Sequence, residues 1–185
     1  MPVWQQLYQT HKDSKIKILS VAMDAQGSAK ALPYVEKAGA TFTTVVDGDN
    51  FLGQLLNARA IPNGVLIDEQ GVVRHINLGG FDVHHTETKQ LVEDWFKEPS
   101  GIVDAAAVTN ETPLDEQALK LFERGLMLYR DGNTSGATAE WRKAIEFDPK
   151  NWIIRKQLWA VEHPDKFYAG DVDYGWQREQ IHKGL

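Results

Sequence analysis

Cysteine is absent from all 185 residues. That excludes disulfides, thiolate nucleophiles and cysteine metal sites from this sequence. An excess of positive charge is also missing. The net charge is -6, and residues 1–98 hold 9 basic and 12 acidic side chains, leaving 11 and 14 beyond them. Neither part offers the basic footprint that nucleic acid or an anionic membrane would attract. No apolar run approaches the length of a membrane span. The start, Met1-Pro2-Val3-Trp4-Gln5-Gln6, lacks the basic and apolar regions of a signal peptide. A cytoplasmic location is expected if Met1 is the true start. There is no phosphate-binding glycine loop and no G-x-S-x-G elbow.

What is present reads first as α/β. Val3, Trp4, Leu7, Tyr8 and His11 recur at helical spacing over Pro2 to Lys12, and Pro2 suits a first turn. Ile16 to Met23 is a β-rich run that ends in Asp24. Ser28 to Ala38 predicts a helix closed by Gly39, with Pro33 marking a kink or a late start. Phe42 to Val46 predicts a strand, then Asp47-Gly48-Asp49 a turn, then Asn50 to Asn57 a short helix. Gly64 to Ile67 and Val72 to Leu78 flank a short turn and form an antiparallel hairpin. Thr86 to Lys97 carries Leu91, Val92, Trp95 and Phe96 on one helical side.

Residues 99–113 mix Pro, Gly, Ala, Thr and Asn without a period and read as a linker. The division expected is therefore 1–98, 99–113 and 114–185. Beyond the linker the chain reads as all helix, at about 114–130, 134–147 and 152–161. Thr112 is placed to cap the first of these, with Pro113 at its first position and Asp115 reaching back. Pro164 ends the third, and a short helix follows around Trp176 to Ile181.

Two stretches carry a family resemblance. Ala60-Ile61-Pro62-Asn63-Gly64-Val65-Leu66-Ile67-Asp68-Glu69-Gln70-Gly71 resembles the segment of bacterial thioredoxin-like redoxins that runs from a proline into the final hairpin. Met1-Pro2-Val3-Trp4-Gln5-Gln6-Leu7-Tyr8 resembles the helix that in those proteins follows a Cys-x-x-Cys pair or its selenocysteine variant. Met23-Asp24 and the stretch Glu36 to Asp47 agree in order, so the resemblance covers about 1–98.

The resemblance implies a thioredoxin-like domain, incomplete because the central strand before the redox pair is missing. It implies thiol–disulfide exchange or peroxide reduction, with the nucleophile upstream and an upstream selenocysteine codon read as a stop as one cause of such a start. As written, the chain is expected to be catalytically silent, with no catalytic residue, metal or cofactor of its own. By resemblance Pro62 is cis, and Ile61 and Pro62 form the platform that pairs with substrate. The vacancy is expected to close by direct pairing of the 16–22 and 64–67 strands, by exchange with a second chain, or by material absent from the sequence. A homodimer and a protein or peptide partner follow as expectations.

Gly125, Leu128, Ala137, Trp141, Ala144 and Pro149 fall at the spacing of a helix–turn–helix repeat. Residues 118–151 thereby resemble one tetratricopeptide (TPR) repeat of about 34 residues. Leu121 stands where Trp is usual, and Arg124 departs at an apolar position. Leu119, Phe122, Leu126 and Tyr129 are expected to pack internally rather than line a peptide groove. The alternative function is a non-catalytic interaction or scaffold module that uses this tail. The aromatics of the last stretch are expected to anchor it to the body.

His84-His85, with Asp82 and Glu87 nearby, reads as a solvated helix start, since adjacent helical residues diverge. Asp47-Gly48-Asp49-Asn50 lacks the downstream bidentate Glu of a calcium loop, position 58 being Ala. A turn and helix cap is the expected role.

Overall fold

The computed structural model describes residues 1–99 and 112–184. The architecture is mixed α/β, with α1 (Pro2–Thr10), β1 (Leu19–Ala22), α2 (Ser28–Lys37), β2 (Thr43–Val46), α3 (Phe51–Leu55), β3 (Gly64–Ile67), β4 (Val73–Asn77) and α4 (Thr86–Lys97) in order. Five further helices follow: α5 (Glu116–Arg130), α6 (Thr134–Phe147), α7 (Trp152–Glu162), α8 (Pro164–Tyr168) and α9 (Tyr174–His182). The chain divides into a first unit, Met1–Asp115 with Lys150–Ile153, and a second, Glu116–Pro149 with Ile154–Leu185. Most of the expected linker, residues 100–111, lies outside the described residues.

In the first unit β1 and β2 run parallel, with Leu19 opposite Thr43 and Ala22 opposite Val46. α2 makes the crossover that a parallel pair requires. β3 and β4 are antiparallel, with an irregularity between Leu66 and Ile67. Asp68 shapes their turn. Its carboxylate accepts from the Gln70 N–H at 3.0 Å, the Val72 N–H at 2.8 Å and the Arg74 Nε–H at 2.6 Å.

The strands form two separate two-stranded sheets. Direct pairing of β1 with β3, one of the closures expected from sequence, is therefore absent among the described residues. The two pairs are joined through helices instead. Leu7, Phe81, Val83, Val92 and Phe96 form the buried cluster, with Val3, Trp4, Ile16, Ile18 and Leu91 packed on it. α1 thus reaches the segment before β1 and, through Trp4 stacked on Phe81 at 5.8 Å, the segment after β4.

α5 begins at Glu116, two residues later than the sequence suggests. The residues before it are held by another part of the unit. The Asn57 side-chain amide donates to the Thr112 carbonyl at 3.0 Å and accepts from the Leu114 N–H at 2.9 Å. Arg59 donates to the Thr112 and Pro113 carbonyls at 3.0 and 2.6 Å. Thr112 and Pro113 are thereby drawn out of helical geometry and do not cap α5.

In the second unit α5 and α6 form a close antiparallel hairpin. Ala118, Ala137, Trp141 and Ala144 are fully buried. A Cβ on Gly125 would overlap the Trp141 indole, so glycine is what lets the helices approach. Arg124, at the position expected to be apolar, lies outside the core, 3.8 Å from the Glu140 carboxylate. The Asn133 side chain caps α6 by accepting from the Gly136 N–H at 2.9 Å. Pro164 does more than end a helix: α7 stops at Glu162, and Pro164 opens α8 as its first residue, where a missing N–H costs nothing.

Candidate functional site

The sequence points to the loop before β3, and residues on both sides of the hairpin hold it. The Ile61–Pro62 bond is cis. The Pro62 carbonyl accepts from the Phe81 N–H at 3.1 Å. The Asn63 side-chain oxygen accepts from the Gly79 N–H at 2.7 Å. At Gly64 a Cβ would collide with the Phe81 ring. The loop is therefore clamped to the stretch following β4 by backbone, side chain and ring contact together. Ile61 and Pro62 remain exposed, Ile61 at 42%. The sequence marked Ile61 and Pro62 but not Asn63, Gly64 or Phe81. Gly79-Gly80, both at positive φ, is the local signal that a tight return lies there.

A second cluster sits where the chain leaves β1 and β2. Asp47 accepts from the Phe51 and Leu52 N–H groups at 2.9 and 2.8 Å, which caps α3 as its turn sequence suggests. Asn50 adopts a left-handed backbone at φ 57° and is 3% exposed. Among the described residues, neither its side-chain oxygen nor its nitrogen has a hydrogen-bond partner. A Cβ on Gly53 would run into this carboxamide and the Met23 methyl. The sequence reading gave Asn50 no role beyond turn and cap.

Asp82 accepts from the His84 N–H at 2.9 Å and meets its ring Nδ1 at 2.6 Å. Those hydrogen bonds, backbone first, hold the Asp82 carboxyl below its usual range, and burial only partly opposes them. His84 and His85 are exposed. No group of three or more His, Asp or Glu side chains converges as a metal site among the described residues.

In the second unit the residues that could line a peptide groove face inward. Phe122 is 1% exposed and Leu126 is buried, with Leu119 and Tyr129 half-buried. The Phe122 and Tyr129 rings both pack on Trp141, at 5.9 and 5.8 Å. The terminal aromatics converge as well. Trp176 meets Trp159 at 5.5 Å, His163 at 4.8 Å and Phe167 at 6.3 Å.

The first unit thus offers a fixed, exposed loop and no group in the chain able to act as a sulfur nucleophile. None of the family models matches the chain, nor does any curated protein or solved structure.

Proposed function

We propose that the first unit is a thioredoxin-like redoxin domain, that the second is a TPR-like tail, and that the protein serves thiol–disulfide or peroxide chemistry whose sulfur or selenium nucleophile lies outside this sequence. The observation that carries the reading is the order of pairings. A parallel pair with a helical crossover is followed by a short helix, an antiparallel hairpin and a closing helix. On this reading the Ile61–Pro62 loop is the substrate platform. The Ile61 backbone would align an extended disulfide-bearing segment, and the clamp through Asn63, Gly64 and Phe81 would keep that backbone in place. The chain contributes positioning and contributes no electrons, because it holds no thiol.

The deciding experiment is to sequence the gene immediately upstream of the Met1 codon. The reading expects an in-frame Cys or Sec codon there, a few codons before Met1. Its absence would end the enzymatic interpretation. The chain alone is expected to leave the dithiothreitol-driven reduction of insulin at its background rate.

The second reading is a non-catalytic interaction module, favoured by the lack of cysteine. It requires a stable partner recovered by pull-down and lost on removing residues 114–185. The inward-facing Phe122 and Leu126 do not support a groove in the tail as its docking surface.

A further inference from the structure

The Ile61–Pro62 loop has a second set of restraints, on the side from which the chain enters it. Asn57 stands shortly before Ile61, and its backbone is left-handed at φ 55°. A residue with a Cβ stays in that conformation where its surroundings fix it. The Asn57 carboxamide holds the Thr112 carbonyl and the Leu114 N–H, and the Arg59 guanidinium holds the Thr112 and Pro113 carbonyls. Between them Ala58 is fully buried. The Arg59 carbonyl in turn accepts from the Ile153 N–H at 3.2 Å. Ile153 is the second residue of α7, so its N–H has no acceptor within the helix. Its side chain is buried.

These bonds join parts of the chain that are distant in sequence. Residues 112–114 follow α4 and the expected linker. Lys150–Ile153 belongs to the first unit, although the chain up to Pro149 and from Ile154 belongs to the second. The stretch 57–60 is thus tied at two points to segments outside residues 1–98. On the other side of the loop, the Phe81 and Gly79 N–H groups hold Pro62 and Asn63. Ile61 and Pro62 lie between the two sets of bonds and are themselves exposed.

We propose that Asn57 and Arg59 form a latch that sets the position of the Ile61–Pro62 loop. Closed on residues 112–114 and on Ile153, the latch holds the loop still. Open, it frees the loop on the side where the chain enters. Asn57 and Arg59 are positioning residues, since they act on the loop through its backbone. The latch gives 112–114 and 150–153 a role in the geometry of a site built from residues 1–98. Its bearing on substrate alignment rests on the reading of this loop as a substrate platform. The latch itself does not: absence of an upstream Cys or Sec codon would end the enzymatic reading and leave these bonds in place.

Residue-resolved amide hydrogen exchange of the full chain tests the latch in the wild type and in two variants. Asn57→Gly suits the positive φ and deletes the carboxamide. Arg59→Gln removes the guanidinium fork. In the wild type the Ile153 amide is expected to be protected by about tenfold or more relative to an open chain, which a first-turn amide without an acceptor would not be. Gly79 and Phe81 report on the loop, because they donate to Asn63 and Pro62. In each variant the Ile153, Gly79 and Phe81 amides are expected to exchange about tenfold faster, while Val92 in α4 and Ala144 in α6 keep their rates. Three outcomes would overturn the proposal: an unprotected Ile153 amide in the wild type, unchanged rates at Gly79 and Phe81 in the variants, or an equal acceleration of all five amides, which marks general destabilisation. Should one variant fail to fold, the wild-type Ile153 rate and the other variant decide.

Discussion

The Trp141 indole N–H donates to the Phe122 carbonyl at 3.1 Å, across the α5–α6 interface and in a fully buried setting. The same ring fills the space that Gly125 leaves open. One side chain therefore supplies both packing and a buried hydrogen bond to the contact. Trp141→Phe removes the donor and leaves a void. It is expected to cost about 2 to 4 kcal/mol of stability, read as a lower urea midpoint for the helical signal.

Gly125→Ala tests the close approach by its sign. In an open helix the change would stabilise by about 1 kcal/mol. Here the added Cβ overlaps the indole, and overpacking costs about 1 to 3 kcal/mol. Thermal unfolding is expected to shift downward. An upward shift would show that the helices have room to spare.

Asp173 caps α9 by accepting from the Trp176 N–H at 2.8 Å. Asp173→Ala is expected to cost about 1 kcal/mol and to loosen Trp176 from Trp159, His163 and Phe167. A red shift in tryptophan emission at temperatures below global unfolding is the readout. An unchanged emission maximum would mean that the ring cluster, not the cap, positions this helix.

Asp68 carries a pH prediction. Burial works to raise its pKa, but hydrogen bonds from the Val72 N–H, Arg74 and the Gln70 N–H outweigh it and hold the carboxyl below its usual value. The unfolded chain titrates at about 4, so on acidification it takes up this proton before the folded chain does. The stabilisation is therefore full above that value and disappears as pH falls through the depressed folded pKa. The gap in melting temperature between the wild type and Asp68→Asn is expected to be constant near neutrality and to close below about pH 4. A gap that does not narrow at all as the pH falls below about 4 would contradict the assignment.

Much of this was legible in the sequence where local physics decides. Thr86–Lys97 has the bounds its apolar spacing predicts. Gly125 and Trp141 stand at the small and large positions of the repeat spacing read from the sequence, and the structure puts them in contact. Where partners decide, the sequence was silent. The run Ile16 to Met23 forms a strand only over Leu19–Ala22, because β2 offers just four residues to pair with. The delayed start of α5 depends on Asn57 and Arg59, more than fifty residues away. The failure of β1 and β3 to pair was equally out of reach, since nothing in either strand records what its neighbour will be. At the candidate loop the sequence marked Ile61 and Pro62. It missed Asn63, Gly64 and Phe81, whose contacts exist only once the hairpin has closed.

The central claim is that, among the described residues, β1 pairs with β2 alone, and residue-resolved amide hydrogen exchange of the chain tests it most directly. The Ala22 carbonyl accepts from the Asp47 N–H at 2.8 Å, and successive strand residues alternate. The account predicts that Ser20 and Ala22, bonded towards β2, are protected, while Leu19 and Val21 exchange at close to the rate of an open chain. Equal protection at all four amides would contradict it, because a second neighbour would then already occupy that edge.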